Sequence, residues 1–453
     1  MLYKRNEPYQ RRRLNPAQVL AIGFAVVILT GSLLLSLPVA TESGVPLPWI
    51  DALFTATSAV CVTGLVVVDT AQTFSTFGEM VILLLIQTGG LGIMTVTTLF
   101  ALILGRKIGV QDRLVLREAF NKLDMQGVVN LVLKVFLITL IVEMCGFIAL
   151  SFCFVPDWGI KRGMYYALFH AVSAFNQGGF DLFGDMREFA GLTYYVQDSW
   201  VILIISTLVI LGGIGFIVIL ELIRYPKNKK LSLHTKMVLT MTGLLLAIGM
   251  GTILFMEWNN PQTLQALSLK EKLFASWFHS VTPRSAGLNV LDLSQMYPAT
   301  LFFIILLMFV GASPSSIGGG IKTTTLAVIL LAVWTMMRGR RDVVAFRRRI
   351  PTNHVYKALT VTVASLTLVI LVTMLLAITE QTDILTAMFE AVSAVGTVGL
   401  STGLTPQMGD AGKIIIIFSM YAGRLGPITL ALAIARDIDP PPYRYPEERP
   451  LIG

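Results

Sequence analysis

Four glycines carry the chemistry this sequence offers. Gly64 closes the run Phe54-Thr-Ala-Thr-Ser-Ala-Val-Cys-Val-Thr-Gly-Leu65, and similar runs close on Gly179, Gly287 and Gly399. An aromatic residue (Phe54, Phe169, Trp277, Phe389) stands ten positions before each glycine, and the glycines are 115, 108 and 112 residues apart. Such a period marks an internally repeated architecture. The residues before each glycine differ: Val60, Cys61, Val62 and Thr63 in the first copy, Phe175, Asn176, Gln177 and Gly178 in the second. The third has Pro283, Arg284, Ser285 and Ala286, and the fourth Val395, Gly396, Thr397 and Val398. Side-chain ligation would demand the same donors in every copy, and the copies share only the glycine. That leaves main-chain carbonyls, which in a four-fold ring replace the water shell of a monovalent cation. Glycine suits such a loop because it adopts dihedrals closed to other residues.

A second polar group of residues lies elsewhere. Gly311, Ala312, Ser313, Pro314, Ser315, Ser316, Gly318, Gly319, Gly320 and Lys322 interrupt an apolar stretch, 298–336, too long for one bilayer crossing. Proline and three consecutive glycines end a helix there, and small hydroxylated residues suit a wet loop; a helix break that serves only packing is the alternative. Three other apolar stretches carry Gln87-Thr-Gly-Gly-Leu-Gly-Ile93, Leu211-Gly-Gly-Ile-Gly-Phe216 and Tyr421-Ala-Gly-Arg-Leu-Gly-Pro427, with Arg424 at the place of Gly90 and Gly213. The glycines read as close helix packing. Arg424 is a mid-span charge, which faces water or a partner: either it repels cations and holds a gate through hydrogen bonds, or it pairs with a carboxylate such as Glu143 or Glu221.

Other chemistry is excluded. The glycine-rich stretch is no phosphate loop, since Ile321 separates Gly320 from Lys322 and no strand precedes it. Gly311-Ala-Ser-Pro314 is similar to an intramembrane protease serine, but His170 and His279 fall on the far side of the bilayer midplane. Cys61, Cys145 and Cys153 have neither metal-ligand nor disulfide spacing, so no cofactor is expected.

The elements that must position the glycines follow from composition. The 453 residues are 55% hydrophobic and 14% charged, against roughly 25% charged in soluble domains. Each repeat reads as a long apolar span, a shorter segment ending at the motif, and a second long span: 17–37, 49–59 and 78–104; then 131–154, 164–174 and 200–223; then 237–256, 270–281 and 298–336; then 355–379, 382–394 and 411–435. The middle segments are too short to cross and fit re-entrant half-helices. The expected fold is an all-α membrane protein with four span–pore helix–span repeats in pseudo-four-fold symmetry around one pore. Its divisions are a tail 1–16, repeats within 17–104, 105–223, 224–336 (loop 311–322) and 337–436, and a proline-rich tail 437–453. The tails and inter-repeat segments hold 26 Lys and Arg against seven on the motif side. That bias puts both termini in the cytoplasm and explains most of the net charge of +8. The basic run Arg338–Arg349 then reads as a topology signal and lipid contact.

Four such units with one glycine per loop resemble the Trk/Ktr/HKT superfamily of potassium transporters over residues 17 to about 436, most closely its bacterial KtrB branch. The resemblance implies inward K+ passage through the four loops, an intramembrane gating loop in the third repeat, and an assisting role for Na+. In the related plant transporters serine at the first-loop position accompanies sodium transport, so Gly64 implies potassium. As partners it implies a homodimer on a cytosolic ring of nucleotide-binding RCK subunits (KtrA-like), within a lipid bilayer and without nucleic acid. A sodium-selective or non-selective pathway remains the nearer alternative. A polytopic membrane enzyme would need catalytic groups converging at one depth, and the sequence offers none.

Overall fold

The computed structural model describes residues 16–103 and 128–426, with the isolated positions Thr429 and Glu448. The expected N- and C-terminal tails, most of the first inter-repeat loop and the end of the last span lie outside the described residues. The rest is helical but for the two-residue strands β1 (Val344–Ala345) and β2 (Arg348–Arg349), paired antiparallel, and short turns and loops.

The principal helices are α1 (Pro16–Leu35), α2 (Trp49–Cys61), α3 (Thr76–Leu91), α4 (Ile93–Ile103), α5 (Val128–Phe175), α6 (Ser199–Ile214) and α7 (Phe216–Asn228). There follow α8 (Leu233–Glu257), α9 (Leu269–Val281), α10 (Pro298–Phe309), α11 (Thr323–Met337), α12 (Thr352–Thr379), α13 (Ile384–Gly396) and α14 (Asp410–Leu425). Polar caps set many of the starts. Asp198 accepts from Trp200 N at 2.8 Å, Asp383 accepts from Thr386 N at 2.9 Å, and Ser268 forms a reciprocal box with Glu271.

Four described helices, α1, α5, α8 and α12, are long and apolar enough to cross a bilayer, with a fifth crossing if the bent pair α6–α7 counts as one. The chain is a multi-pass membrane protein. At 13 residues each, α2, α9 and α13 reach only about 20 Å, short of a bilayer core.

One expectation is corrected. The second spans are not continuous: they break at Gly92 (φ 82°, ψ 135°), Gly215 (φ 93°, ψ 140°) and Gly426 (φ 81°, ψ 143°), and α6 and α7 meet at 99°. These dihedrals lie outside the helix well and favour glycine, so the last glycine of each GGLG-like motif is where the helix breaks; a Cβ there would meet nothing within 4 Å at Gly92 and Gly426 but would strike Pro314 O at Gly215. The stretches 131–154 and 164–174 fall on either side of a kink: the helical run Val128–Phe175, labelled α5, is two helices joined at Gly159 (φ 75°, ψ 169°).

The earlier glycines of those motifs do pack closely. A Cβ on Gly89, Gly212 or Gly423 would strike the carbonyl oxygen of Val60, Phe175 or Val395, the last turn of a helix that ends at a motif glycine. Small residues let backbones meet in this way inside a membrane. Helix contacts between units run in a circuit: α3 packs on α5, α6 on α9, α10 on α13, and α14 back on α2. Between the first and last units, Lys413 Nζ pairs with Asp51 Oδ1 at 2.6 Å, both side chains about 15% exposed. The aromatic leaders Phe54, Phe169 and Phe389 are fully buried; in the third copy Phe278 takes the buried place and Trp277 is half-exposed.

Candidate functional site

The four motif helices end alike. Two positions before each glycine a residue turns left-handed: Val62 (φ 56°), Gln177 (58°), Ser285 (86°) and Thr397 (49°). Each glycine follows at φ 91°, 72°, 74° and 93°. In three copies the residue after the turn closes the helix end, with N–H bonds from Thr63 to Ser58 O, Gly178 to Ser173 O and Val398 to Ser393 O at 2.7–2.8 Å. Ser58 and Ser393 hydroxyls also accept from the amides of Gly64 (3.0 Å) and Gly399 (3.1 Å), and Ser173 donates to Phe180 O at 2.7 Å. That serine, six residues before the glycine, is Val281 in the third copy. Its recurrence was readable in the sequence as a brace for the loop.

The loops meet. A Cβ on Gly64 would lie 2.7 Å from Gly179 Cα, and one on Gly179 2.8 Å from Gly64 Cα and 3.3 Å from Gly287 Cα. From Gly287 it would lie 3.0 Å from Gly179 Cα and 3.2 Å from Gly399 Cα; from Gly399, 3.0 Å from both Gly287 and Gly64. All four glycines line one cavity of about 410 Å³, together with Asp69, Asp181, Arg187, Glu188 and Asp292. Burial, with Asp69 nearby, pushes the Asp181 carboxyl up to about 6 despite its hydrogen bond from Phe183 N. His170 and His279 accept through Nε2 from Leu182 N and Leu291 N and brace the segments after the second and third loops.

On the opposite side lies a cavity of about 290 Å³, lined by Gly90, Gly92, Gly423, Arg424, Lys322 and residues of 314–320. Helix α10 stops at Phe309 and α11 starts at Thr323. The segment between is pinned to the break in the second unit: Ser313 N and Ile317 N donate to Gly213 O and Gly212 O, and Phe216 N donates to Ser315 O. Its tip touches the loops, since a Cβ on Gly318 would meet Gln177 and Ser285, and one on Gly319 would meet Thr397. Ser285 Oγ donates to Thr397 O at 2.6 Å and accepts from Gly319 N at 3.3 Å. Lys322 Nζ donates to Gly318 O at 2.6 Å.

Arg424 has no carboxylate partner among the described residues. Its guanidinium donates to the carbonyls of Ile317 and Gly89, so of the two readings the alternative, a carboxylate pair, is not the one the structure has. Glu143 bonds Asn176 and Gln87, and Glu221 bonds Ser232 and Thr235. The Arg284 side chain, from the third loop, is buried with Thr242 Oγ1 at 3.4 Å as its hydrogen-bond partner.

The profile of the TrkH cation transport protein family matches residues 2–441. The chain belongs to that family. It is 47% identical over 441 residues to the Ktr system potassium uptake protein B of Bacillus subtilis, covering 97% of each chain. It is 40% identical over 449 residues to the potassium/sodium uptake protein NtpJ of Enterococcus hirae, covering 98% of each. The solved structure of the potassium transporter TrkH from Vibrio parahaemolyticus superposes with a TM-score of 0.72 over 95% of this chain and 87% of that one, at 17% identity, and shares its fold. A TrkH-family chain is a transport protein, not an enzyme.

Proposed function

We propose that this TrkH-family chain is the ion-translocating subunit of a potassium uptake system. K+ passes inward through a filter of main-chain carbonyls contributed by the four loops ending at Gly64, Gly179, Gly287 and Gly399, in pseudo-four-fold arrangement. The observation that carries the reading is the closed circuit of glycine-to-glycine approaches, with nothing but backbone common to the four loops. Helix C-termini of α2, α5, α9 and α13 point their partial negative ends toward it, which favours a cation. The relatives named for potassium uptake support the same cargo.

The segment 311–322 is the gate, and Arg424 holds it closed. The support is its place against Gln177, Ser285 and Thr397 and its hydrogen bond from Arg424. Uptake is driven by the membrane potential, worth ~2.3 kcal/mol per charge per 100 mV, with Na+ assisting. By its likeness to Ktr subunits the chain forms a homodimer on a cytosolic RCK ring that supplies nucleotide control, with both termini cytoplasmic. Expression in cells lacking potassium uptake tests the cargo. Growth at low K+ should be rescued by the intact chain and lost with Gly64→Ser; absence of rescue by membrane-inserted intact chain sinks the proposal.

A further inference from the structure

One buried acidic side chain is left unused by that reading. Glu143 on α5 is 7% exposed, and none of the ion pairs among the described residues includes it. A carboxylate within a transmembrane helix is costly and normally serves a function. Its oxygens accept from two amides: Asn176 Nδ2 at 2.7 Å and Gln87 Nε2 at 3.3 Å. Asn176 Nδ2 also reaches Gln87 Oε1 at 2.8 Å and Val172 O at 3.0 Å.

The two amides lie at informative places. Asn176 belongs to the second loop, directly before the left-handed Gln177, and a Cβ on Gly90 would strike its side chain. Gln87 lies near the end of α3, two residues before the Gly89 carbonyl that takes Arg424. The carboxylate therefore holds a loop residue on one side and the turn gripped by Arg424 on the other. Glutamine at 143 would keep one acceptor and turn a donor toward a donor.

We propose that Glu143 is a positioning residue for ion selectivity, fixing the second filter loop through Asn176 and the last turn of α3 through Gln87. The inference rests on the carbonyl-filter reading. The test uses the full chain in liposomes, comparing uptake of a rubidium tracer with uptake of sodium. The intact chain should prefer rubidium; if it does not, the filter reading itself fails. Glu143→Gln should raise the sodium-to-rubidium ratio about tenfold, the scale of one lost buried hydrogen bond. Asn176→Ala should do the same, and the double variant should add nothing further. A selective intact chain whose ratio is unmoved by Glu143→Gln overturns the proposal, as does an equal loss of both fluxes, the mark of a packing role. Should Glu143→Gln not assemble, Asn176→Ala reads the same contact from the filter side, and an unmoved ratio there overturns it equally.

Discussion

The guanidinium of Arg424 donates to the carbonyl of Ile317, 107 residues earlier in the chain, and to the carbonyl of Gly89 on α3. One charge thus joins the segment beneath the glycines to the helix end that packs on the first motif helix. Hydrogen bonds from a charged donor contribute about 1.5–3 kcal/mol each. Arg424→Gln should therefore release the loop and raise ion flux roughly tenfold, and shortening 314–318 should do likewise. Tracer uptake into liposomes checks both. Unchanged flux in both variants refutes the gate.

Gly287→Ala should abolish selective uptake. Its Cβ would sit 2.8 Å from Val398 O, at a φ of 74°. The control is Gly403→Ala, in the exposed loop that follows the fourth motif. Its φ is 98°, as unfavourable, but nothing lies within 4 Å of the added methyl. Gly403→Ala should transport within about twofold of the parent if close approach, rather than backbone strain of ~1–3 kcal/mol, decides the outcome at 287.

Much of this was legible in the sequence, and the reasons are local. A glycine every hundred or so residues behind a fixed aromatic leader announces itself without a structure, and so does the helix break at Pro314 and Gly318–Gly320. The breaks at Gly92, Gly215 and Gly426 were not legible, because glycine in an apolar helix serves packing and breaks alike; Gly89 and Gly92, three residues apart, do one each. Nor could the partners of Glu143 be read. Asn176 is 33 residues away and Gln87 lies 89 residues before Asn176, so only the fold brings them together. The same distance hid the true acceptors of Arg424, which are carbonyls and leave no trace in side-chain identity.

Asp181 should make uptake depend on external pH. Its carboxyl titrates near 6 on the cavity side lined by all four glycines. Above that value it is ionised and attracts cations; as pH falls through about 6 it protonates, and uptake at sub-saturating K+ should fall. Asp181→Asn should show lower uptake at neutral pH and lose the dependence between pH 5 and 7 (roughly, a unit either side of that value). Because the raised value means the folded state binds the proton more tightly than the unfolded chain, this residue also makes the protein more stable as pH falls from about 6 to its ordinary carboxylate value of 3.8. A pH profile unaltered by Asp181→Asn would remove it from the entry path.

Glu257 is structural, and the expected result separates it from the transport residues. Its carboxylate accepts from Asn260 Nδ2 (2.6 Å), Thr263 Oγ1 (2.7 Å), Tyr297 N (3.0 Å) and Thr300 Oγ1 (2.5 Å), tying the end of α8 to the start of α10. Glu257→Ala leaves several buried donors unsatisfied, at roughly 1–3 kcal/mol apiece. A large drop in thermal midpoint, with the ion preference of the folded fraction unchanged, is expected; a changed preference would give Glu257 a role in the pore.

The most direct measurement is the anomalous signal of a heavy potassium substitute, thallium or rubidium, in crystals of the chain. Peaks on the axis ringed by Gly64, Gly179, Gly287 and Gly399, bounded by carbonyl oxygens from all four loops, are the expected result. Peaks bound elsewhere by side chains, with that axis empty in a protein that still takes up the ion, would contradict a main-chain filter.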